Sequence, residues 1–278
     1  MLYGIKTAIT YLLGTDRAER NFAVYPDDTF VVSYPRSGNT WTRFLIANLL
    51  HPDKHVSFVN IEKLIPDTSS QSNRALKRTP RPRIIKTHEY FDHRYPKTIY
   101  IVRDPRDVAL SYYDFQRKYR QIEDGFPLER YIDDFVSGRL LSSGWGTWAE
   151  NVASWVYTRG HRESFLLLRY EDMIKDTASE LQRIAVFLGV NADAERLRRV
   201  IESSSADRMR EMEKAEANLW VATRKRRQDI PFVRLAKSEG WKASLPASCV
   251  RQIEEAWGDL MTTLGYELTT APVLHESR

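Results

Sequence analysis

The sequence predicts one α/β domain in three layers: a central, mainly parallel β-sheet with helices on both faces and a P-loop-like phosphate-binding turn. Three observations lead there. Short β-rich runs alternate with helical stretches, the pattern of a parallel sheet covered by helices. No Gly/Ser/Pro-rich linker divides the 278 residues into two cores, so 1–278 reads as a single domain. Hydrophobic residues make up 42% and charged residues 28%, which is the balance of a globular chain and not of a disordered or fibrous one.

The elements follow in order. Leu2, Ile5, Ile9, Leu12 and Leu13 recur at helical spacing, so about 1–14 is expected to be a short amphipathic helix packing on the domain. Lys6 interrupts that run, which is in any case shorter than the roughly 20 apolar residues that span a bilayer, and no stable membrane insertion is expected. Thr29–Ser33 reads as a buried strand, followed by a turn and a helix over about 40–50. Arg83–Thr87 and Lys97–Arg103 are the second and third strands, and Asp104 before Pro105 marks a helix start, since proline suits the first helical position. Ser164–Tyr170 is a fourth strand. Helices are expected over about 173–188, 193–202 and 247–264, and loops over 69–83 and 218–241.

Charge and cysteine content bound the function. Lys and Arg total 42 against 37 Asp and Glu, a net +5 that favours an anionic partner without identifying one. The basic stretches 74–83 and 224–227 lack interleaved aromatics, and no nucleic-acid motif appears, so nucleic acid is not the expected partner. The single cysteine, Cys249, excludes an intrachain disulfide framework and a cysteine zinc site. No His-Glu-x-x-His or similar spacing occurs either, so no metal is expected. A cytoplasmic setting is the default.

Two motifs carry chemistry. After the first strand comes Tyr34-Pro35-Arg36-Ser37-Gly38-Asn39-Thr40-Trp41. A strand, a tight glycine-containing turn and a helix N-terminus form an anion site, because exposed N–H groups converge there and the helix dipole favours negative charge. Arg36 adds a full charge; Ser37, Asn39 and Thr40 add donors. The loop lacks the first glycine and the Lys-hydroxyl pair of a nucleotide kinase. The third strand ends in Arg103, followed by Asp104-Pro105-Arg106-Asp107-Val108-Ala109-Leu110-Ser111. Ser111 lies about two helical turns on, so Arg103 and Ser111 read either as a grip for a second phosphate near the first loop or, taken alone, as a strand-end salt bridge and a helix-surface serine.

These runs resemble the cytosolic-type sulfotransferase family, in a bacterial-looking form, whose donor is 3′-phosphoadenosine 5′-phosphosulfate (PAPS). The family's Y-P-K-S-G-T-T-W matches Tyr34–Trp41, its second motif matches Ile101–Tyr113, and its K-T-H matches Lys86-Thr87-His88. Gly144–Trp148 and Arg169–Met173 look like further landmarks. The resemblance implies that Arg36, Ser37, Gly38, Asn39, Thr40 and Trp41 bind the 5′-phosphosulfate end, with Trp41 near the adenine. It implies that Arg103 and Ser111 hold the 3′-phosphate, that Tyr170 and Ser204 contact the base, that His88 is the catalytic base, and that Lys86 lies close to the sulfuryl group. Sulfuryl transfer asks for these types: a base near neutral pKa to take the acceptor's proton, and cations to stabilise charge on the leaving phosphate. The scheme implies no metal.

The chain departs from the family in two places. Arg36 stands for the usual lysine; arginine keeps its proton and offers a fixed fork, so its expected role is binding and charge stabilisation. Arg234–Lys242 matches the family's R-K-G-x-x-G-x-W-K only in part, leaving Arg234 and Lys237 as candidate 3′-phosphate contacts. The acceptor is expected to be a small molecule with a hydroxyl or amine, bound among loops near 52–80, 118–145 and 215–240, with Tyr112, Tyr113, Phe115, Tyr119, Phe126 and Trp220 as aromatic lining. Oligomeric state is open. Alternatives are a nucleotide-binding protein of this fold without transferase activity, a nucleoside-phosphate kinase and a nucleic-acid binder.

Overall fold

The computed structural model describes residues 17–140, 145–220, 222–233 and 237–269. Four strands, β1 (Thr29–Ser33), β2 (Ile84–Thr87), β3 (Lys97–Val102) and β4 (Phe165–Arg169), form one open sheet in the order β2-β1-β3-β4, every pair parallel. β1 is buried along its whole length. Its alternate residues serve opposite faces: Phe30 and Val32 join a cluster with Tyr95, Tyr100 and Trp155, while Val31 joins one with Phe44, Ile46 and Ile99. Burial on both faces explains why these strands read as continuous apolar runs.

The described helices are α1 (Asn39–Leu50), α2 (Ile61–Leu64), α3 (Asn73–Arg78), α4 (Pro105–Lys118), α5 (Leu128–Val136), α6 (Trp148–Arg159), α7 (Tyr170–Lys175), α8 (Thr177–Leu188), α9 (Ala194–Ser203), α10 (Ala206–Glu216), α11 (Trp241–Ser244) and α12 (Ala247–Thr263). The expected helix over 173–188 is two. Asp176 leaves helical geometry with φ −143° and caps α8 by accepting from the Ser179 amide at 3.0 Å. The expected loop 69–83 contains α3, which starts at Ser72, whose hydroxyl accepts from the Ala75 amide at 3.2 Å. That helix buries only Leu76, too little to leave a periodic signal. Residues 218–241 form no helix among those described until α11 begins at Trp241. The expected N-terminal helix lies outside the described residues. Among these, no helix is long and apolar enough to cross a membrane.

β2 lies on one side of β1, and β3 with β4 on the other, so the connections leaving β1 and β3 run in opposite directions from the carboxyl ends of these two neighbouring strands. Such a switch point leaves a crevice where ligands bind. Ser33 and Ile101 are register partners at its floor. The segments just past the four strand ends bring several of the sequence-predicted site residues together: Arg36, Ser37 and Gly38 after β1, His88 after β2, Arg103 after β3 and Tyr170 after β4.

Candidate active site

The phosphate loop is held in an unusual backbone shape. Arg36 has φ 68° and Gly38 φ 96°, both in the left-handed region. For a non-glycine residue that costs about 1–2 kcal/mol, so Arg36 is a strained position of the kind found at functional sites. Gly38 has no alternative: a Cβ there would stand 2.5 Å from Tyr170 Cδ2. The first turn of α1 has no side-chain cap and no acidic residue, so its amides and dipole are left for an anion. Ser37 is fully buried, and its hydroxyl has no hydrogen-bond partner among the described residues. Leaving such a group unpaired costs about 1–3 kcal/mol. Thr40 is half-buried in the same turn. The side-chain nitrogen of Asn39 donates inward, to Val31 O at 3.3 Å and Ser33 Oγ at 3.1 Å. It thus pins α1 to β1.

The second constellation meets the first. Arg103 donates through Nη1 to Arg36 O and through Nη2 to Lys237 O, both at 3.2 Å, while its Nε has no partner among the described residues. Its guanidinium lies 4.4 Å from the centre of the Tyr170 ring. Ser111 Oγ accepts from Arg36 Nε at 3.1 Å, so Arg36 turns toward Ser111 and Phe232, donating to Phe232 O at 3.2 Å. The Lys237 backbone reaches the cluster and its side chain is exposed; Arg234 lies outside the described residues. Trp41 packs edge-on against Tyr170, centroids 5.9 Å apart, and its indole N–H donates to Ser204 O at 3.0 Å. The Ser204 hydroxyl accepts from Asn48 at 3.0 Å, which sets the end of α9 beside α1. Trp41, Tyr170 and Ser204 therefore form one aromatic-walled corner.

At the end of β2, His88 Nδ1 lies 2.7 Å from Ser33 O. A carbonyl only accepts, so Nδ1 carries the proton and donates, and Nε2 keeps its lone pair. Burial, with the nearby Lys86 charge second, drives the imidazole down to about 3, so the ring is neutral at physiological pH. Lys86 is buried and donates to Asp67 Oδ2 at 2.7 Å. Burial lowers its ammonium below the usual range, and Asp67 opposes that shift.

Several residues of this region escaped sequence reasoning. Asp67 is one. Trp145, within the Gly144–Trp148 landmark but given no role there, sets its ring edge-on to His88 at 5.4 Å. Asn151 donates to both His88 O and Trp145 O at 3.0 Å, and accepts from the Tyr100 hydroxyl at 2.8 Å. α6, which carries Asn151, had a readable start: Thr147 and Glu150 form a capping box. Lys118 and Glu213 form a buried pair at 3.6 Å that holds the segment 227–233. Lys118 donates to Arg227 O and Ile230 O, and Glu213 accepts from the Phe232 and Val233 amides. Asp107 likewise accepts from the Glu239 and Trp241 amides. Of the expected aromatic lining, Phe115 and Tyr119 stack on each other, and Trp220 is buried against Phe58 and Phe232.

The sulfotransferase-domain family model matches residues 26–265. The chain belongs to this family. A 3-beta-hydroxysteroid sulfotransferase of Cavia porcellus is 30% identical over 251 residues, spanning 86% of this chain and 85% of the relative. Sulfotransferase 1B1 of Mus musculus is 27% identical over 286 residues, 97% and 94% of the two chains. Two solved structures share the fold. Mouse sulfotransferase SULT7A1 complexed with PAP has a TM-score of 0.71 at 24% identity, covering 90% of this chain and 91% of its own. A retinol dehydratase in complex with retinol and PAP has a TM-score of 0.73 at 21% identity, covering 94% and 88%. The matched range contains all four strands of this sulfotransferase, and their parallel order brings the four carboxyl ends to one edge of the sheet.

Proposed function

We propose that this sulfotransferase moves the sulfuryl group of PAPS onto a hydroxyl or amine of a small molecule by in-line displacement, releasing adenosine 3′,5′-bisphosphate. The observation that carries the residue roles is the neutral His88 with Nε2 unprotonated, one strand away from an uncapped phosphate loop. The donor supplies the activated sulfuryl group and a nucleotide phosphate as leaving group. The residues present fit it. The α1 amides, the unpartnered Ser37 hydroxyl and Thr40 face the phosphosulfate end. The unpartnered Arg103 Nε, Ser111 and the Lys237 segment are set to receive the 3′-phosphate, with Arg234 as a further contact. Trp41, Tyr170 and Ser204 take the base. His88 accepts the acceptor's proton at Nε2. Arg36 and Lys86 supply positive charge as the bond to the leaving oxygen lengthens. Arg36 does so without giving up a proton.

The relatives support a small-molecule hydroxyl as acceptor, since one is named for a 3-beta-hydroxysteroid and one related structure holds retinol. A cytoplasmic setting is part of the proposal, on the strength of the family resemblance. Incubation with PAPS and a panel of phenols, sterols and sugars should yield sulfated product. His88→Ala should lower kcat by about 10²–10⁴-fold, the range for loss of a general base, with binding of adenosine 3′,5′-bisphosphate unchanged. Undiminished turnover in that variant would overturn the assignment.

A further inference from the structure

The Lys86 ammonium stands on the sheet edge in a place where burial works against its charge. Strand β2 is lined on its outer side by the segment 66–68, with Lys86 N donating to Pro66 O at 2.8 Å and Thr68 N to Lys86 O at 3.0 Å. This places Asp67 directly beside Lys86, and the two side chains, 8% and 13% exposed, meet at 2.7 Å. The carboxylate is itself tightly oriented. Its other oxygen, Oδ1, accepts from the Ser69 amide at 2.8 Å and the Ser69 hydroxyl at 2.7 Å. The Asp67 amide donates to Glu62, and Glu62 pairs with the buried Arg43 of α1 at 2.9 Å. One chain of polar contacts therefore runs from the phosphate-loop helix through Arg43, Glu62 and Asp67 to Lys86, two residues before His88. A buried lysine that is to act as a cation needs a fixed counter-charge, and only a short, ordered carboxylate contact supplies it without relying on water.

We propose that Asp67 is a positioning residue for sulfuryl transfer: it keeps the Lys86 ammonium charged and aimed along β2 toward the His88 end of the crevice. The inference rests on the transfer reaction proposed above. The groups that face Lys86 are Asp67 from the edge segment, Glu62 from α2, Arg43 from α1 and His88 from its own strand. Asp67 is held well below the usual carboxylate range, since Lys86, Arg43 and His88 outweigh the opposing effect of burial. It therefore stays ionised across the working pH range. Asp67 raises the Lys86 pKa, so removing its charge lets the ammonium lose its proton at lower pH.

The test is Asp67→Asn, which retains an acceptor for Ser69. Expected are a fall in kcat of about 10–100-fold with binding of adenosine 3′,5′-bisphosphate unchanged, and an alkaline limb of kcat displaced to lower pH. Adding Lys86→Arg to that variant should remove the displacement, because a guanidinium stays charged without the partner. Asp67→Glu, a conservative variant, should recover part of the rate. Independently of turnover, NMR titration of Lys86 in ¹³Cε-lysine-labelled protein should show its midpoint moving down in Asp67→Asn. An unmoved Lys86 midpoint overturns the proposal whether or not an acceptor is in hand, as does a wild-type rate and pH profile in the variant. A moved midpoint in a protein that transfers no sulfuryl group would instead break the proposed reaction and leave the electrostatic coupling standing.

Discussion

The crevice has a cradle and a cover, and they are built on opposite principles. The cradle consists of strand ends and the first turns of α1 and α4: Arg36 to Trp41, and Arg103 to Ser111. Each motif is contiguous in sequence, and its shape follows from local geometry, a left-handed turn before an uncapped helix and a proline at a helix start. The cover consists of the segments 227–233 and 237–241, which have no regular structure of their own until α11. Distant side chains hold them instead: Lys118 and Glu213 the first, Asp107 the second. Local geometry makes a site that tolerates little change. Long-range tethers make one that loosens by degrees.

The sharpest way to test that contrast is Gly38→Ala. The added Cβ would stand 2.5 Å from the Tyr170 ring at a residue with φ 96°, so either the loop or the aromatic corner must move. Both belong to the proposed donor site, and no flexible chain end is available to yield. Binding of adenosine 3′,5′-bisphosphate, followed by titration calorimetry, should fall more than 100-fold while the far-ultraviolet circular dichroism is kept. Affinity within threefold of wild type would show that the loop is not the rigid element described.

Arg103→Met comes next. Arg103 joins cradle to cover, bonding Arg36 O on one side and Lys237 O on the other. Hydrogen bonds to charged groups are worth about 1.5–3 kcal/mol, which corresponds to roughly 10–100-fold in affinity for the bisphosphate. Adenosine 5′-monophosphate, lacking the 3′-phosphate, should bind wild type and variant alike. An equal loss for both nucleotides would place Arg103 elsewhere than at the 3′-phosphate.

The same contrast explains what was readable from the sequence. All four strands and both cradle motifs were legible, because fully buried parallel strands are short apolar runs and because glycine, proline and arginine stand at strand ends for local reasons. Arg103 and Ser111 do meet Arg36 of the first loop, as their motif order suggests. A sequence does not say that the side-chain nitrogen of Asn39 turns back to Val31 and Ser33. Asp67 left no signal. It sits 19 residues from Lys86, in a polar stretch that resembles any loop, and only the pairing of 66–68 with β2 makes it a partner. Glu213 was equally silent, one acid among several on the charged helix α10. Long-range electrostatic pairs have no spacing to read.

Glu213→Gln probes the cover with the mildest change. The glutamate carboxylate accepts the Phe232 and Val233 amides at 2.6 and 2.8 Å through separate oxygens and balances Lys118. A glutamine keeps one acceptor oxygen and loses the charge. Lys118 still has Arg227 O and Ile230 O, so the fold should survive. What is lost is one hydrogen bond's worth of hold on the segment, about 1 kcal/mol, or roughly five- to tenfold in its opening equilibrium. The Phe232 and Val233 amides should exchange hydrogen faster by that factor, and amides of β1 should not change. Because Phe232 caps Arg36, with its ring centre 4.7 Å from the guanidinium, nucleotide affinity should fall by a smaller factor, carried in faster dissociation. If exchange at Phe232 were unchanged, the tether would lie elsewhere; if exchange in β1 rose equally, cover and cradle would be one cooperative unit and the distinction between them would fail.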